Sequence, residues 1–171
     1  GVSGIGTAFS FDGTDQYLNS FDRSDTGFTG SLIKQYNFLK KNLTFSVWVK
    51  RSTDDGEDFI IYGDNGSANR CKITFLPSGK LQINTIVSSS NNLVYETNRL
   101  FRDLSSWYNI VIAFNSTLGT AGDRCRLYVN GVEETSFSTE TDMGQNTSNF
   151  LSDSSADIYI GSQNTGNYYD G

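Results

Sequence analysis

The chain lacks histidine altogether, and it has only two cysteines and one proline among 171 residues. Without imidazole, Ser-His-Asp and Cys-His catalysis, HExxH zinc sites and histidine acid–base chemistry are all excluded. The two cysteines form no CxxC motif and are too few for a disulfide-dense secreted scaffold. The sequence therefore excludes chemistry that depends on imidazole.

Long apolar runs and clustered positive charges are also missing. No run approaches the roughly 18–20 residues needed to cross a bilayer, so we expect no membrane insertion. The net charge of −6, without a basic cluster, argues against binding to nucleic acid, whose phosphates require lysine and arginine on one surface. The acidic surface mainly favours solubility.

The sequence does contain 13% aromatic residues, 17 glycines and many serine, threonine and asparagine residues, a composition typical of short strands joined by polar turns. The clearest strand is predicted over residues 42–52. There Leu43, Phe45, Val47 and Val49 share one face. Trp48 lies on the opposite face with polar neighbours.

Further strands are predicted from turn signals. Hairpins are expected for 7–13 with 16–21, around Pro77-Ser78-Gly79, and around Asn130-Gly131, a pair that accepts the positive φ values of a tight turn. Other predicted strands cover 58–64, 92–97, 107–114, 124–130, 132–137 and 157–163. Residues 32–41 fit either two helical turns or an irregular loop. This pattern predicts a single all-β domain, an antiparallel β-sandwich or jelly roll.

Both cysteines occupy strand positions whose side chains are expected to face the core. Cys71 alternates in step with Ile73 and Phe75, and Cys125 alternates in step with Leu127 and Val129. We expect two buried, reduced thiols, with a disulfide between the sheets as the alternative.

The order of these segments resembles that of the laminin-G-like, concanavalin A-like lectin domains. The matching stretches are "FSFDGTDQYL", "LTFSVWVKRS", "PSGKLQI", "WYNIVIAF", "RLYVNGVEE", "IYIGSQ" and "YYDG". The segment "LFRDLSSWYNIVIAFNSTLGTAGDRCRLYVNGVEETSF" is similar to versions found in structural proteins of tailed bacteriophages. The resemblance covers most of the chain and implies a concanavalin A-like jelly roll.

The resemblance also suggests where the domain begins and ends. Residues 1–6 are glycine-rich and are expected to be a linker, and residues 7–171 form the laminin-G-like domain. In the family one more core strand follows the position of "YYDG". We therefore expect this to be part of a longer chain, or a sheet completed by another chain in an oligomer.

The resemblance makes calcium the cofactor to consider, because many domains of this fold bind it through loop oxygens. The candidate metal ligands are the polar residues of the loops around 54–58 and 64–65, with Asp153 and Asp157 as a further pair. In the first two loops they are Asp54, Asp55, Glu57, Asp58, Asp64 and Asn65. None has EF-hand spacing, and each also fits a solvated turn carboxylate.

Aromatic side chains are the candidate ligand contacts, because sugar rings stack on them while amides bind the hydroxyls. Trp48 fits a ligand-facing sheet surface, or else packing beneath a crossing loop. Tyr168 and Tyr169, beside Asn167, could form a second surface for a ligand. Trp107 is expected to close one end of the core.

These observations favour a domain that binds rather than catalyses. The resemblance implies a tail fibre, spike or head appendage on the exposed surface of a virion, contacting other virion proteins and a host cell-surface glycan or other receptor. The alternatives are a structural module for capsid decoration or oligomerisation without a sugar ligand, and a secreted, extracellular bacterial adhesion domain. Glycosidases of this fold carry acids in a pattern like ExDxxE, which this sequence lacks.

Overall fold

The computed structural model describes residues 18–19, 41–64, 69–147, 157–163 and 166–168. Within these ranges the backbone forms strands, apart from turns and one 3₁₀ turn at Ala121–Asp123. The described residues contain no helix long and apolar enough to cross a membrane. The predicted hairpin of 7–13 with 16–21 falls largely outside the described residues, as does the segment 32–41.

The strands are numbered in chain order, and most are short. The bounds are β1 Leu18–Asn19, β2 Asn42–Val49, β3 Asp58–Asp64, β4 Arg70–Phe75, β5 Lys80–Val87, β6 Ser90–Leu100, β7 Tyr108–Asn115, β8 Cys125–Val129, β9 Val132–Glu134, β10 Phe137–Thr141, β11 Asp157–Ile160, β12 Ser162–Gln163 and β13 Gly166–Tyr168.

The strands form two main antiparallel sheets. One has seven strands in the order β1-β11-β3-β4-β5-β6-β10, and the other has four in the order β2-β7-β8-β9. Strands β12 and β13 form a separate pair. The predicted antiparallel β-sandwich is confirmed.

The core lies between the two sheets because each strand alternates inward and outward side chains. Strand β2 shows this regularly, with Val49 buried and Thr44, Ser46 and Trp48 exposed. Its inward residues pack against a buried cluster that includes Ile73 of the large sheet. Burial of this apolar surface is the main force that holds the sheets together.

The local turn chemistry agrees with the sequence in two hairpins. Asn130 and Gly131 have φ values of 51° and 79°, the left-handed conformations that the β8–β9 turn requires. Gly79 has a φ of 83° in the β4–β5 turn. Both predicted hairpins are confirmed.

The single strand predicted over 132–137 is instead two strands in different sheets. Strand β9 pairs with β8 in the four-stranded sheet, whereas β10 pairs with β6 in the seven-stranded sheet. The chain crosses between sheets at Thr135 and Ser136, which are exposed. The backbone N–H of Asn98 donates to the Ser136 carbonyl at 3.0 Å, so the crossing begins the pairing with β6.

A buried ion pair joins the sheets at one end of the sandwich. Arg51 follows β2 and keeps its inward parity, and its Nε donates to Asp58 Oδ2 of β3 at 2.9 Å. Its Nη1 donates to the Phe101 carbonyl, just beyond β6, at 3.0 Å. The guanidinium carbon lies 5.0 Å from the centroid of the Phe75 ring. With Arg51 fully buried and Asp58 3% exposed, a single side chain ties the end of β2 to three segments of the other sheet.

Both thiols are free and buried, as predicted. Cys71 lies in β4 and Cys125 in β8, so they enter the core from opposite sheets. Burial raises the pKa of Cys71 to about 12. Burial, followed by the proximity of Cys71, raises the pKa of Cys125. Both groups are therefore protonated and poorly nucleophilic near neutral pH.

We expect Arg51→Met to destabilise the domain strongly, because it leaves the Asp58 carboxylate buried without its cation. Removing one partner of such a pair costs about 3–5 kcal/mol. Denaturant unfolding measures the loss. The double variant Arg51→Met/Asp58→Asn should lose less than the sum of the two single changes.

The matched control is Arg126→Met, because Arg126 binds Glu133 at an exposed position. The denaturant concentration at which this variant is half unfolded should stay close to that of the wild type. An unchanged unfolding midpoint for Arg51→Met would contradict the conclusion that the ion pair holds the two sheets together.

We also expect the native thiols to resist a small thiol reagent and to react fully once the chain is unfolded. In alkali, the native state keeps the Cys71 proton that the unfolded state loses above a pKa of about 9. This contribution to stability is complete below pH 9 and is lost as the pH rises towards 12. Cys71→Ala should therefore lose less stability over that range. Rapid labelling of the native protein would show that the thiols are accessible.

Candidate functional site

The face of the four-stranded sheet turned away from the core carries the main candidate site. We call it the outer face, defined by the outward residues of β2, β7 and β8. They are Thr44, Ser46, Trp48, Asn109, Val111, Ala113, Arg126 and Tyr128. The strand register places Trp48 opposite Asn109, and Ser46 opposite Val111.

Trp48 stands out on this face because 63% of it is exposed. Its neighbours along β2, Val47 and Val49, belong to or pack against the core, so strand alternation directs the indole outward. The prediction that Trp48 lies opposite the aliphatic face is confirmed. An exposed indole offers a flat apolar surface and one N–H donor.

Asn109 lies directly across from Trp48 and is held by the β8–β9 turn. Its backbone N–H donates to Asn130 Oδ1 at 2.8 Å, and the Asn130 N–H donates to the Asn109 carbonyl at 2.8 Å. The side-chain Nδ2 lies 3.4 Å from the Val47 carbonyl, a long hydrogen bond. These contacts fix the start of β7 and leave the amide oxygen of Asn109 as an acceptor beside the indole of Trp48.

Trp107 does not close the core, and that prediction is wrong. It is 48% exposed. The next residue, Tyr108, takes the inward position, with its ring centroid 5.1 Å from that of Phe101. Because side chains alternate, Trp107 is directed to the same side as Asn109.

The turn before Trp107 is organised by Asp103. Its Oδ1 accepts hydrogen bonds from the Ser105 N–H at 2.9 Å and the Ser105 hydroxyl at 2.6 Å, and its Oδ2 accepts one from Ser106. These bonds, the Ser105 hydroxyl first, lower the pKa of Asp103 to about 2. The Tyr108 hydroxyl donates to the Asp103 carbonyl at 3.2 Å. The backbone leading into Trp107 is therefore well defined.

The candidate calcium ligands around 54–58 are not gathered together. Glu57 accepts a hydrogen bond from Lys72 Nζ at 2.8 Å, and Asp58 is held by Arg51. Asp54 and Asp55 are exposed in the connecting loop. Within the described ranges no three acidic, cysteine or histidine side chains form a metal-binding group. Residues 54–58 do not fit a calcium site in this arrangement.

The remaining candidate residues lie at or beyond the limits of what the structure describes. Asp64 Oδ2 accepts a hydrogen bond from the Tyr62 hydroxyl at 2.8 Å, while Asn65 lies outside the described residues. Calcium binding at 64–65 therefore stays a prediction. The backbone of Asn167 and Tyr168 belongs to β13, but their side chains, and the whole of Tyr169, lie outside the description.

A recess between the β8–β9 hairpin and β10 is a concave feature of the described residues. Its lining includes Tyr95, Arg126, Glu133, Glu134 and Glu140. Glu133 accepts from Arg126 Nη1 at 3.2 Å. Glu134 accepts from Arg99 Nε at 2.7 Å. Two of the three glutamates are thus neutralised by arginines.

A tyrosine–aspartate pair completes this recess. The Tyr95 hydroxyl donates to Asp142 Oδ1 at 2.7 Å, and burial together with this carboxylate raises the pKa of Tyr95. The Tyr95 ring also packs on Phe137, with centroids 4.6 Å apart. The hydroxyl is therefore neutral at ordinary pH and anchors the end of β10.

Sequence reasoning missed two residues of the outer face. Asn109 is the third residue of the predicted strand 107–114, and only the register with β2 shows that it lies beside Trp48. Asp103 carries a readable signal, because an aspartate followed two and three residues later by serine is a common turn pattern. Applied to "DLSSW", that pattern places an ordered turn just before Trp107.

Comparison with known proteins agrees with this architecture. The family described as the concanavalin A-like lectin/glucanases superfamily matches residues 12–171. A search of curated proteins found no match. Domains LG4-5 of the mouse laminin alpha1 chain are similar, with a TM-score of 0.58, 14% identity and coverage of 94% of this chain and 37% of that one.

A native heptameric SAP-like pentraxin from Limulus polyphemus is also similar. It gives a TM-score of 0.51 at 14% identity, covering 77% of this chain and 60% of that one. This chain thus spans less than two thirds of either solved chain, and at such identities the likeness concerns the fold alone. The family match covers nearly all of the sequence and confirms the resemblance to laminin-G-like jelly rolls. The chain belongs to the concanavalin A-like lectin/glucanases superfamily, as a laminin-G-like domain.

Proposed function

We propose that this domain is a non-catalytic glycan-binding module on the exposed surface of a tailed-phage particle, where it contacts a sugar of the host cell. The observation that carries the proposal is the 63% exposure of Trp48 on the outer face. An indole this exposed is costly to leave in water, and a pyranose ring can cover it without burying charge.

The surroundings of Trp48 support a sugar as the ligand. Thr44 and Ser46 are exposed on the same strand face and offer hydroxyls, and Asn109 offers an amide. A flat aromatic ring near hydroxyl and amide groups, with the cation Lys50 two residues along the chain, matches a ligand whose faces are apolar and whose edges carry hydroxyls. The same combination is poorly suited to a lipid or a nucleic acid.

The proposal of a non-catalytic role rests on the carboxylates and the missing imidazole. Hydrolysis of a glycoside requires two carboxyl groups that flank the bond. In the described recess, Glu133 and Glu134 are bound by arginines. We therefore propose binding without turnover.

The virion context is supported by the phage-like sequence of the segment 100–137 and by the advantages of multivalency. Single-site sugar contacts are weak, and symmetric display converts them into useful avidity. The similar pentraxin is heptameric, so a similar fold occurs in an oligomer. We propose that this domain is likewise displayed in several copies, beside other virion proteins.

A glycan array followed by calorimetry tests the sugar ligand. The wild-type domain should retain at least one glycan class. Trp48→Ala should weaken that binding at least about tenfold, equivalent to about 1.4 kcal/mol, because it removes the stacking surface. The melting temperature should remain near the wild-type value, since the indole is mostly in solvent.

The matched control is Val132→Ala, because Val132 is 62% exposed on the same sheet but lies at its far edge. It should bind as the wild type does. If no glycan is retained, the sugar proposal is wrong and the role is structural; if Trp48→Ala binds normally, the sugar is bound elsewhere and the outer-face site is wrong.

Particle location is tested separately. Antibodies raised against this domain should label the outside of intact phage particles and block adsorption to the host. Labelling of bacterial surfaces in uninfected cultures would instead identify a secreted adhesion domain. Labelling of particles without any effect on adsorption would indicate capsid decoration.

A further inference from the structure

Both tryptophans of the chain are exposed on the same side of the four-stranded sheet. Trp48 lies opposite Asn109, and Trp107 precedes Asn109 by two residues. The two tryptophans are therefore diagonal neighbours across the β2–β7 pair. Residues in this relation are about 7–8 Å apart, near enough for one extended ligand to touch both rings.

Asn109 lies beside both indoles, directly opposite Trp48 and two residues along the chain from Trp107. Its main chain is fixed by Asn130 through two hydrogen bonds of 2.8 Å. The amide therefore has a defined position without depending on a ligand. Its oxygen and its second N–H can bind neighbouring hydroxyls of a sugar.

We propose that Trp48 and Trp107 form a two-ring platform for successive units of a neutral oligosaccharide, with the Asn109 amide binding hydroxyls between them. The inference rests on the proposed sugar-binding function and specifies its ligand. A single sugar ring covers one indole only. A chain of sugars covers both, so affinity increases with chain length.

The charge of the protein favours a neutral ligand. At a net charge of −6 the field of the whole molecule repels sulfated and other acidic polysaccharides. Stacking on indole and hydrogen bonding to an amide need no charge on the sugar. Neutral chains thus gain the contacts of the platform without electrostatic repulsion.

The distribution of exposed apolar side chains favours a sugar over a protein partner. In the described part of the chain, the other large exposed hydrophobic residues are Leu100, Leu118, Val132 and Ile160, on separate elements. A stable protein interface buries about 800 Å² on each partner around an apolar centre. Two indoles with Ser46, Lys50 and Asn109 around them form a smaller, polar-edged surface.

Asp103 acts as a positioning residue for this platform. Its carboxylate bonds to Ser105 and Ser106 set the backbone just before Trp107. Asp103→Ala should therefore weaken binding to long chains and leave single sugars unaffected. Asp103→Asn, which keeps the acceptor oxygen, should restore part of the affinity.

The test uses neutral gluco-, manno- and galacto-oligosaccharides of one to six units, with affinities from calorimetry and from quenching of tryptophan fluorescence. For the wild type, affinity for at least one series should rise at least about tenfold between one and four units. Trp107→Ala should abolish this rise and leave the affinity for one unit within about twofold. Trp48→Ala should lose binding at every length.

Val132→Ala serves again as the matched control and should keep the full rise in affinity with chain length. If Trp107→Ala retains the length dependence, the two-ring platform is wrong, while loss in Trp48→Ala still upholds the sugar-binding function. If no neutral series binds but acidic glycans do on the array, the ligand class is wrong. If no glycan of any class binds, the proposed function itself fails.

Discussion

The contact between Arg51 and Asp58 determines how the two sheets meet and which side of β2 faces outward. Arg51 has the inward parity of β2, and its buried ion pair fixes that parity at the end of the strand. A shift of one residue would turn the guanidinium to solvent and Trp48 into the core. The same guanidinium bonds to the Phe101 carbonyl, close before the Asp103 turn. One buried cation thus orients both segments that present the indoles.

Several elements could be predicted because local patterns decide them. Strand β2 follows from strict alternation of apolar and polar residues, β3 has the predicted bounds 58–64, and the Asn130-Gly131 hairpin follows from turn chemistry. The split between β9 and β10 could not be predicted, because 132–137 contains no glycine or proline that would mark a break. Only pairing with β6, far away in the chain, shows that the second half belongs to the other sheet.

The candidate site also contains residues whose positions could be predicted from the sequence and residues whose positions could not. The outward position of Trp48 follows from the parity of its own strand. The indole of Trp107 is predicted to close the core, but the ring of the next residue, Tyr108, fills that position. The sequence does not indicate that Arg51 is buried, since a charged residue after a strand is ordinarily exposed. Asp58 likewise fits a calcium ligand until the fold brings a guanidinium beside it.

The Asp103 turn also governs how the outer face behaves in acid. Its pKa of about 2 means that the stabilisation it provides is present above the ordinary aspartate value and is lost only as the pH falls towards 2. Indole rings do not titrate in this range. A sugar held beside Trp107 would therefore survive the mildly acidic wash that releases many ligands from affinity columns. Elution would then require a competing saccharide.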